Sequence, residues 1–83
     1  SDMLVKLFFG GSRTPEEQRE LLNNCLAFQR QMLSQTKANY QKLQSRFDQY
    51  QRLCWEYTIH HLEATIRFLE QKGSELMRQP IWN

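Results

Sequence analysis

Proline and glycine are almost absent from this 83-residue chain, which has two prolines and three glycines. Neither type occurs between Pro15 and Gly73. Inside a helix, glycine costs about 1 kcal/mol and proline about 3 kcal/mol relative to alanine. The intervening stretch is instead rich in Gln, Leu, Arg, Glu and Lys, which favour helix. The sequence therefore predicts an all-α fold with one long helix over about residues 15–79.

Long apolar runs, strong charge and cysteine are also scarce. The apolar segment at residues 3–9 is too short to cross a bilayer, so no membrane association is expected. A net charge of +2 does not by itself indicate a nucleic-acid partner. The only cysteines, Cys25 and Cys54, are too far apart on a straight helix to form a disulfide. We expect both to be reduced core thiols of an intracellular protein in a reducing compartment.

The spacing of residues in the sequence does not bring together side chains that could carry out catalysis or bind a metal. Cys54 and His61 lie two helical turns apart, about 10 Å by helix rise, which is too far to share one ion. Gly10 and Gly11 lack the Lys and Ser/Thr pattern of a phosphate-binding loop. A long rod also offers no pocket for a substrate. We therefore predict no enzyme activity, no cofactor, no metal site and no small-molecule substrate.

The long helix has a clear start. Thr14 and Glu17 have the spacing of a capping box, and Pro15 suits the first helical position. The predicted organisation is a short apolar segment with a Gly-Gly turn at residues 1–13, a long coiled-coil helix at 14–79 and a tail at 80–83.

The segment before the turn is densely apolar. Exposed as a free strand it would favour aggregation, so we expect a short helix that packs back onto the long one. A frayed N-terminus is the alternative. The candidate partner-docking residues here are Leu4, Leu7, Phe8 and Phe9.

The middle of the helix carries a single heptad seam, in which apolar residues alternate at spacings of three and four. This spacing is typical of a two-stranded coiled coil. One core position holds Leu33, Tyr40, Phe47 and Cys54, and the other holds Thr36, Leu43, Tyr50 and Tyr57.

The C-terminal third of the helix has two apolar seams, which predicts contact with two neighbouring helices. The first continues the heptad seam through Tyr57, His61, Ala64 and Phe68. The second follows Trp55, Ile59, Leu62, Ile66 and Leu69.

The wide apolar sections, residues 21–33 and 53–69, lie about equally far from Leu43 and Gln44. A two-fold axis at that point would pair them between two chains. We therefore predict a homodimer and favour the antiparallel direction over the parallel one, with a higher oligomer as the alternative. The parallel register would form no ion pairs between its flanking positions.

The central section, residues 30–52, holds five basic residues and one acidic residue. The candidates for contact with an anionic partner are Arg30, Lys37 and Arg52. A solvated flank that limits indiscriminate helix pairing is the favoured interpretation, and nucleic-acid binding is the weaker alternative.

Together these features predict a non-enzymatic oligomerisation or scaffold module that dimerises a larger intracellular protein. The main alternative is an adaptor whose wide apolar faces receive a helix from another coiled-coil protein. The predicted self-association residues are Leu22, Leu26, Leu33, Tyr40, Leu43, Phe47, Tyr50, Trp55, Ile59, Leu62, Ile66 and Leu69.

Overall fold

A computed structural model describes residues 2–78 of the chain, which are mainly helical and contain no strand. The elements are α1 (Met3–Phe8), a 3₁₀ turn (Gly10–Ser12), α2 (Pro15–Leu43), a second 3₁₀ turn (Gln44–Arg46) and α3 (Gln49–Arg78). The prediction of an all-α fold is thus confirmed. No helix in this described part is both long and apolar enough to cross a membrane. Gln79, the last residue of the predicted helix, and the predicted tail at 80–83 lie outside the described residues.

The single helix predicted over about residues 15–79 is wrong, because the chain turns back after Leu43. Helices α2 and α3 pack against each other as an antiparallel hairpin. The described chain is 52 Å long instead of the roughly 85–95 Å expected for one continuous helix. The first wide apolar section, residues 21–33, therefore faces the second half of α3 within one chain: Leu22 lies beside Gly73, and Arg30 pairs with Glu70.

Local hydrogen bonds explain why the helix breaks without glycine or proline. Phe47 adopts an extended conformation with ψ of 142°. The Asp48 carboxylate then accepts a hydrogen bond from the Gln51 backbone N–H at 2.8 Å, and the Gln51 side chain accepts one from the Asp48 N–H at 3.0 Å. This reciprocal pair satisfies backbone donors at the start of α3, as a capping residue does.

The predicted capping box at the start of α2 is confirmed. The Thr14 hydroxyl accepts from the Glu17 N–H at 3.2 Å, and the Glu17 carboxylate accepts from the Thr14 N–H at 3.0 Å. Pro15 is the first helical residue.

Helix α1 lies along α2, as the favoured alternative for residues 3–9 predicted. The Gln18 amide donates to the Gly10 carbonyl at 3.1 Å, and the Gln29 amide donates to the Met3 sulfur at 3.4 Å. Together these contacts hold both ends of the short segment against the first half of α2.

The core lies between α2 and α3. Its buried hydrophobic residues are Cys25 on α2 and Leu62, Ile66 and Leu69 on α3. The second apolar seam, which contains Leu62, Ile66 and Leu69, therefore faces α2. The first seam, which contains Tyr57 and Phe68, lies on a different face of α3.

Gly73 is a buried residue inside α3 and does not end the helix. A β-carbon at this position would lie 3.6 Å from the nearest Leu22 side-chain atoms, an ordinary van der Waals contact. We therefore expect Gly73→Ala to stabilise the fold by about 0.5–1 kcal/mol, because alanine loses less backbone entropy in a helix. Urea denaturation measures the change. A lower midpoint in Gly73→Ala than in the parent would show that the interface at Leu22 cannot accept a methyl group.

Candidate protein interaction surfaces

The residues predicted for self-association lie mainly inside the hairpin. Leu22, for example, lies beside Gly73, and the Tyr40 ring stacks with Trp55 at 6.1 Å. Because α2 and α3 cover one another, the burial of these residues does not require a second chain. Their part in self-association therefore stays a prediction. Leu62, Ile66 and Leu69 are buried, Tyr50 is exposed, and the half-buried residues are Leu22, Leu26, Leu33, Tyr40, Leu43, Phe47, Trp55 and Ile59.

Helix α3 has a second apolar face that points away from α2, here called the outer stripe. At about 100° per residue, its members fall on the side of α3 opposite Leu62 and Ile66. Four of its large side chains are between 61% and 73% exposed. An apolar face of this extent on a small protein commonly marks an interaction site. The outer stripe consists of Tyr50, Leu53, Cys54, Tyr57, His61, Ala64 and Phe68, all exposed.

The spacing of the outer stripe is that of a coiled-coil seam. From Tyr50 to Phe68, six of its residues alternate at intervals of four and three. The stripe contains no Asp, Glu, Lys or Arg. The Tyr57 and His61 rings stack at 5.9 Å, which makes a flat aromatic surface. This geometry suits the packing of another helix along α3.

A second exposed apolar surface, here called the α1 patch, comprises Leu4, Val5, Phe8 and Phe9. The Phe8 and Phe9 rings meet edge to face at 5.1 Å. Three of the four predicted docking residues therefore lie at the surface, whereas Leu7 is half-buried. Val5 was not among the predicted docking residues, although it belongs to the same apolar run.

The three basic residues proposed for an anionic partner have partners within the chain. Arg30 pairs with Glu70 at 2.6 Å, and Lys37 pairs with Glu63 at 3.1 Å. The Arg52 guanidinium donates to the Gln44 carbonyl at 3.1 Å. An incoming anion would have to compete with these contacts. The arrangement favours the interpretation of a solvated flank.

Aromatic residues near the bend stack on one another. Phe47 lies 5.4 Å from Trp55 and 6.4 Å from Tyr40 between ring centroids. The Tyr40 hydroxyl donates to the Glu56 carboxylate at 2.7 Å, and this hydrogen bond raises the pKa of Tyr40. These rings already contact one another, which limits the aromatic face left for stacking on nucleic-acid bases.

The two cysteines differ in environment. Cys25 is buried, and desolvation raises the pKa of its thiol, so less reactive thiolate forms. Cys54 is exposed on the outer stripe. The expectation that both are core thiols is therefore wrong for Cys54, because the face that carries it points away from α2.

The histidine pair lies on α3 outside the core. His60 Nδ1 is 3.6 Å from the Glu63 carboxylate, and both histidines are exposed. Among residues 2–78, no group of three His, Cys, Asp or Glu side chains is placed to hold a metal ion.

A cleft of about 470 Å³ lies at the open end of the hairpin. The expectation of a rod without a pocket is therefore wrong. The bend brings the end of α3 beside the start of α2, and the fold-back of α1 closes a third side. Its lining residues are Leu7, Gly10, Gly11, Arg13, Pro15, Gln18, Arg19, Leu21, Leu22, Leu76 and Met77.

Comparison with known proteins identifies one family. The family model described as "Virulence activator alpha C-term" matches residues 1–76. No curated protein and no solved structure matches the chain.

Proposed function

This chain belongs to the virulence activator alpha C-terminal family, and from that premise we propose that it is a non-enzymatic homodimerisation module of a larger regulatory protein. The family description refers to the C-terminal part of an activator, which suits a segment that serves a larger polypeptide. The outer stripe of α3 is the proposed contact between the two copies.

The observation that carries this proposal is that α3 has two apolar faces and the described chain covers only one. Leu62, Ile66 and Leu69 pack against α2, whereas Tyr57 and Phe68 remain 68% and 61% exposed. A helix that is apolar on two sides needs two neighbours. The small core of the hairpin also supports the proposal, since chains of this size gain much of their stability from additional burial.

A second copy fits the stripe better than a charged partner does. The stripe has no Asp, Glu, Lys or Arg, so at neutral pH two copies with neutral histidine can face one another without opposing like charges. Its seam spacing is self-complementary, as a two-fold contact between identical surfaces requires. The proposed contact is therefore a coiled-coil packing of α3 on the partner's α3.

We keep the antiparallel direction as part of the proposal. Its original argument, a two-fold axis at Leu43 and Gln44, no longer supports it, because the chain turns back after Leu43 and α2 packs against α3. What supports it now is that antiparallel α3 helices place opposite ends of their macrodipoles side by side. The direction therefore needs its own test, separate from that of the oligomeric state.

Sedimentation equilibrium of the full chain tests the dimer. The expected result is twice the chain mass at micromolar concentration, with dissociation on dilution. The mass of a single chain over the whole accessible concentration range would contradict the proposal.

Mild oxidation tests the direction through the native thiols. Cys54 lies toward one end of the outer stripe, so antiparallel packing separates the two copies of this residue. A disulfide needs Cα atoms within about 7 Å, and we expect no covalent dimer on a non-reducing gel. Rapid cross-linking that is lost in Cys54→Ser would instead establish the parallel direction. Buried Cys25 should contribute little in either case.

The α1 patch favours a second candidate, an adaptor function toward a helix of another protein. Phe8 is 81% exposed, and α1 is too short to be stable by itself. On this alternative the purified chain would be monomeric, and Phe8→Ser with Phe9→Ser would abolish binding of the partner without changing the mass of the free chain.

A further inference from the structure

The cleft at the open end of the hairpin has the dimensions of a ligand site. Its volume of about 470 Å³ lies within the range of about 300–1,000 Å³ that is usual for small-molecule pockets. Three separate segments form it: the end of α1 with the turn that follows it, the first two turns of α2 and the last turns of α3. It is thus concave, unlike the outer stripe and the α1 patch.

The lining of the cleft combines apolar walls with two permanently charged arginine side chains. The aliphatic side chains come from both helices of the hairpin and from α1, including Leu21, Leu76 and Leu7. Arg13 and Arg19 also line the cleft, and neither forms an ion pair with a carboxylate of the described residues. An arginine guanidinium stays charged at all ordinary pH values and binds carboxylates with two parallel hydrogen bonds.

We propose that this cleft binds an amphipathic carboxylate, such as a medium-chain fatty acid anion. The hydrocarbon part lies against the leucine and methionine walls, and the carboxylate contacts the guanidinium groups. This proposal does not rest on the dimer, because the cleft is formed within one chain and contains no residue of the outer stripe.

Arg13 is the principal anchor. Arg19 also borders a neighbouring polar groove that contains Glu16 and Glu20, so its charge is partly offset. Arg13 has an extended backbone conformation and lies between the 3₁₀ turn and Thr14. Its backbone N–H, not its side chain, donates a hydrogen bond to the Gly10 carbonyl. Its guanidinium can therefore turn to a ligand without breaking a described ion pair.

The test is a titration of the isotope-labelled full chain with octanoate, and in parallel with 1-octanol, followed by backbone amide NMR shifts. Octanoate should give saturable shifts at Gly10, Gly11, Leu21 and Leu22, and should bind about tenfold more tightly than the alcohol. The Arg13→Gln variant should lose that tenfold preference while its affinity for 1-octanol stays unchanged.

Arg67→Gln is the matched control, since Arg67 is an exposed arginine of α3 that does not line the cleft. It should bind both probes as the parent does. Octanoate shifts confined to the outer stripe or the α1 patch would overturn the proposal. So would equal affinity for the two probes, or an unchanged octanoate affinity in Arg13→Gln. Sedimentation of the same samples reports on the dimer separately.

Discussion

Replacing Leu62 and Ile66 together by glutamate is expected to unfold the chain. Both side chains are 8% exposed and lie one turn apart in the core between α2 and α3. Each substitution removes a packed aliphatic group and buries a carboxylate without a partner, at a cost of about 3 kcal/mol or more. Since small domains have a total stability of about 5–15 kcal/mol, the pair should be sufficient to abolish the fold. Circular dichroism should show the loss of most helical signal.

A matched control substitutes two surface residues of the same helix at the same spacing. Arg67→Glu with Gln71→Glu introduces the same two side chains at exposed positions and should leave the helical signal close to that of the parent. If the Leu62 and Ile66 double variant still formed a folded dimer by light scattering, the assignment of this seam to the core would be wrong.

The beginning of α2 was predictable because its determinants are local. Thr14, Pro15 and Glu17 form a capping box whose hydrogen bonds span three residues, and no distant contact is needed to specify it. The helical character of residues 16–43 and 49–72 was predictable for the same reason, from helix propensity.

The bend was not predictable from the same patterns. Residues 44–48 contain neither glycine nor proline, and Phe47 continues the heptad spacing. An antiparallel hairpin and an antiparallel pair of long helices can both follow from apolar seams of this kind, so the apolar pattern alone cannot distinguish them. The hairpin gives up a few helical hydrogen bonds at the bend but avoids the loss of translational and rotational freedom on association. The reciprocal hydrogen bonds between Asp48 and Gln51 replace some of the helical hydrogen bonds that are given up at the bend.

The sequence revealed two apolar seams on α3 but not which of them meets α2. In the structure the inner seam is mainly aliphatic, with Ile59, Leu62 and Ile66, and the outer stripe is mainly aromatic. The cleft was also beyond prediction. Its shape depends on where α1 lies relative to the ends of both long helices, and that placement arises from tertiary contacts such as the Gln18–Gly10 hydrogen bond.

Replacing Tyr57 and Phe68 by glutamate is expected to turn the proposed dimer into a folded monomer. Both residues lie on the outer stripe, away from α2, so their replacement leaves the hairpin core intact. Large aromatic residues at the centre of an interface commonly contribute about 2 kcal/mol or more each. Because both copies lose both residues, about 8 kcal/mol of contact energy is removed and association should weaken by about 10⁵-fold or more. The four carboxylates brought together in a dimer would also repel one another. Sedimentation equilibrium measures the change in mass, and circular dichroism verifies the fold.

Gln35→Glu with Gln41→Glu adds the same charge to exposed positions of α2 and controls for a general effect of charge on association. This variant should remain a dimer. The comparison separates the two apolar faces of α3, because the core variant loses both helix and mass whereas the stripe variant should lose only mass. A Tyr57 and Phe68 double variant that dimerised with the affinity of the parent would move the contact to another surface, and the α1 patch would then be the next candidate.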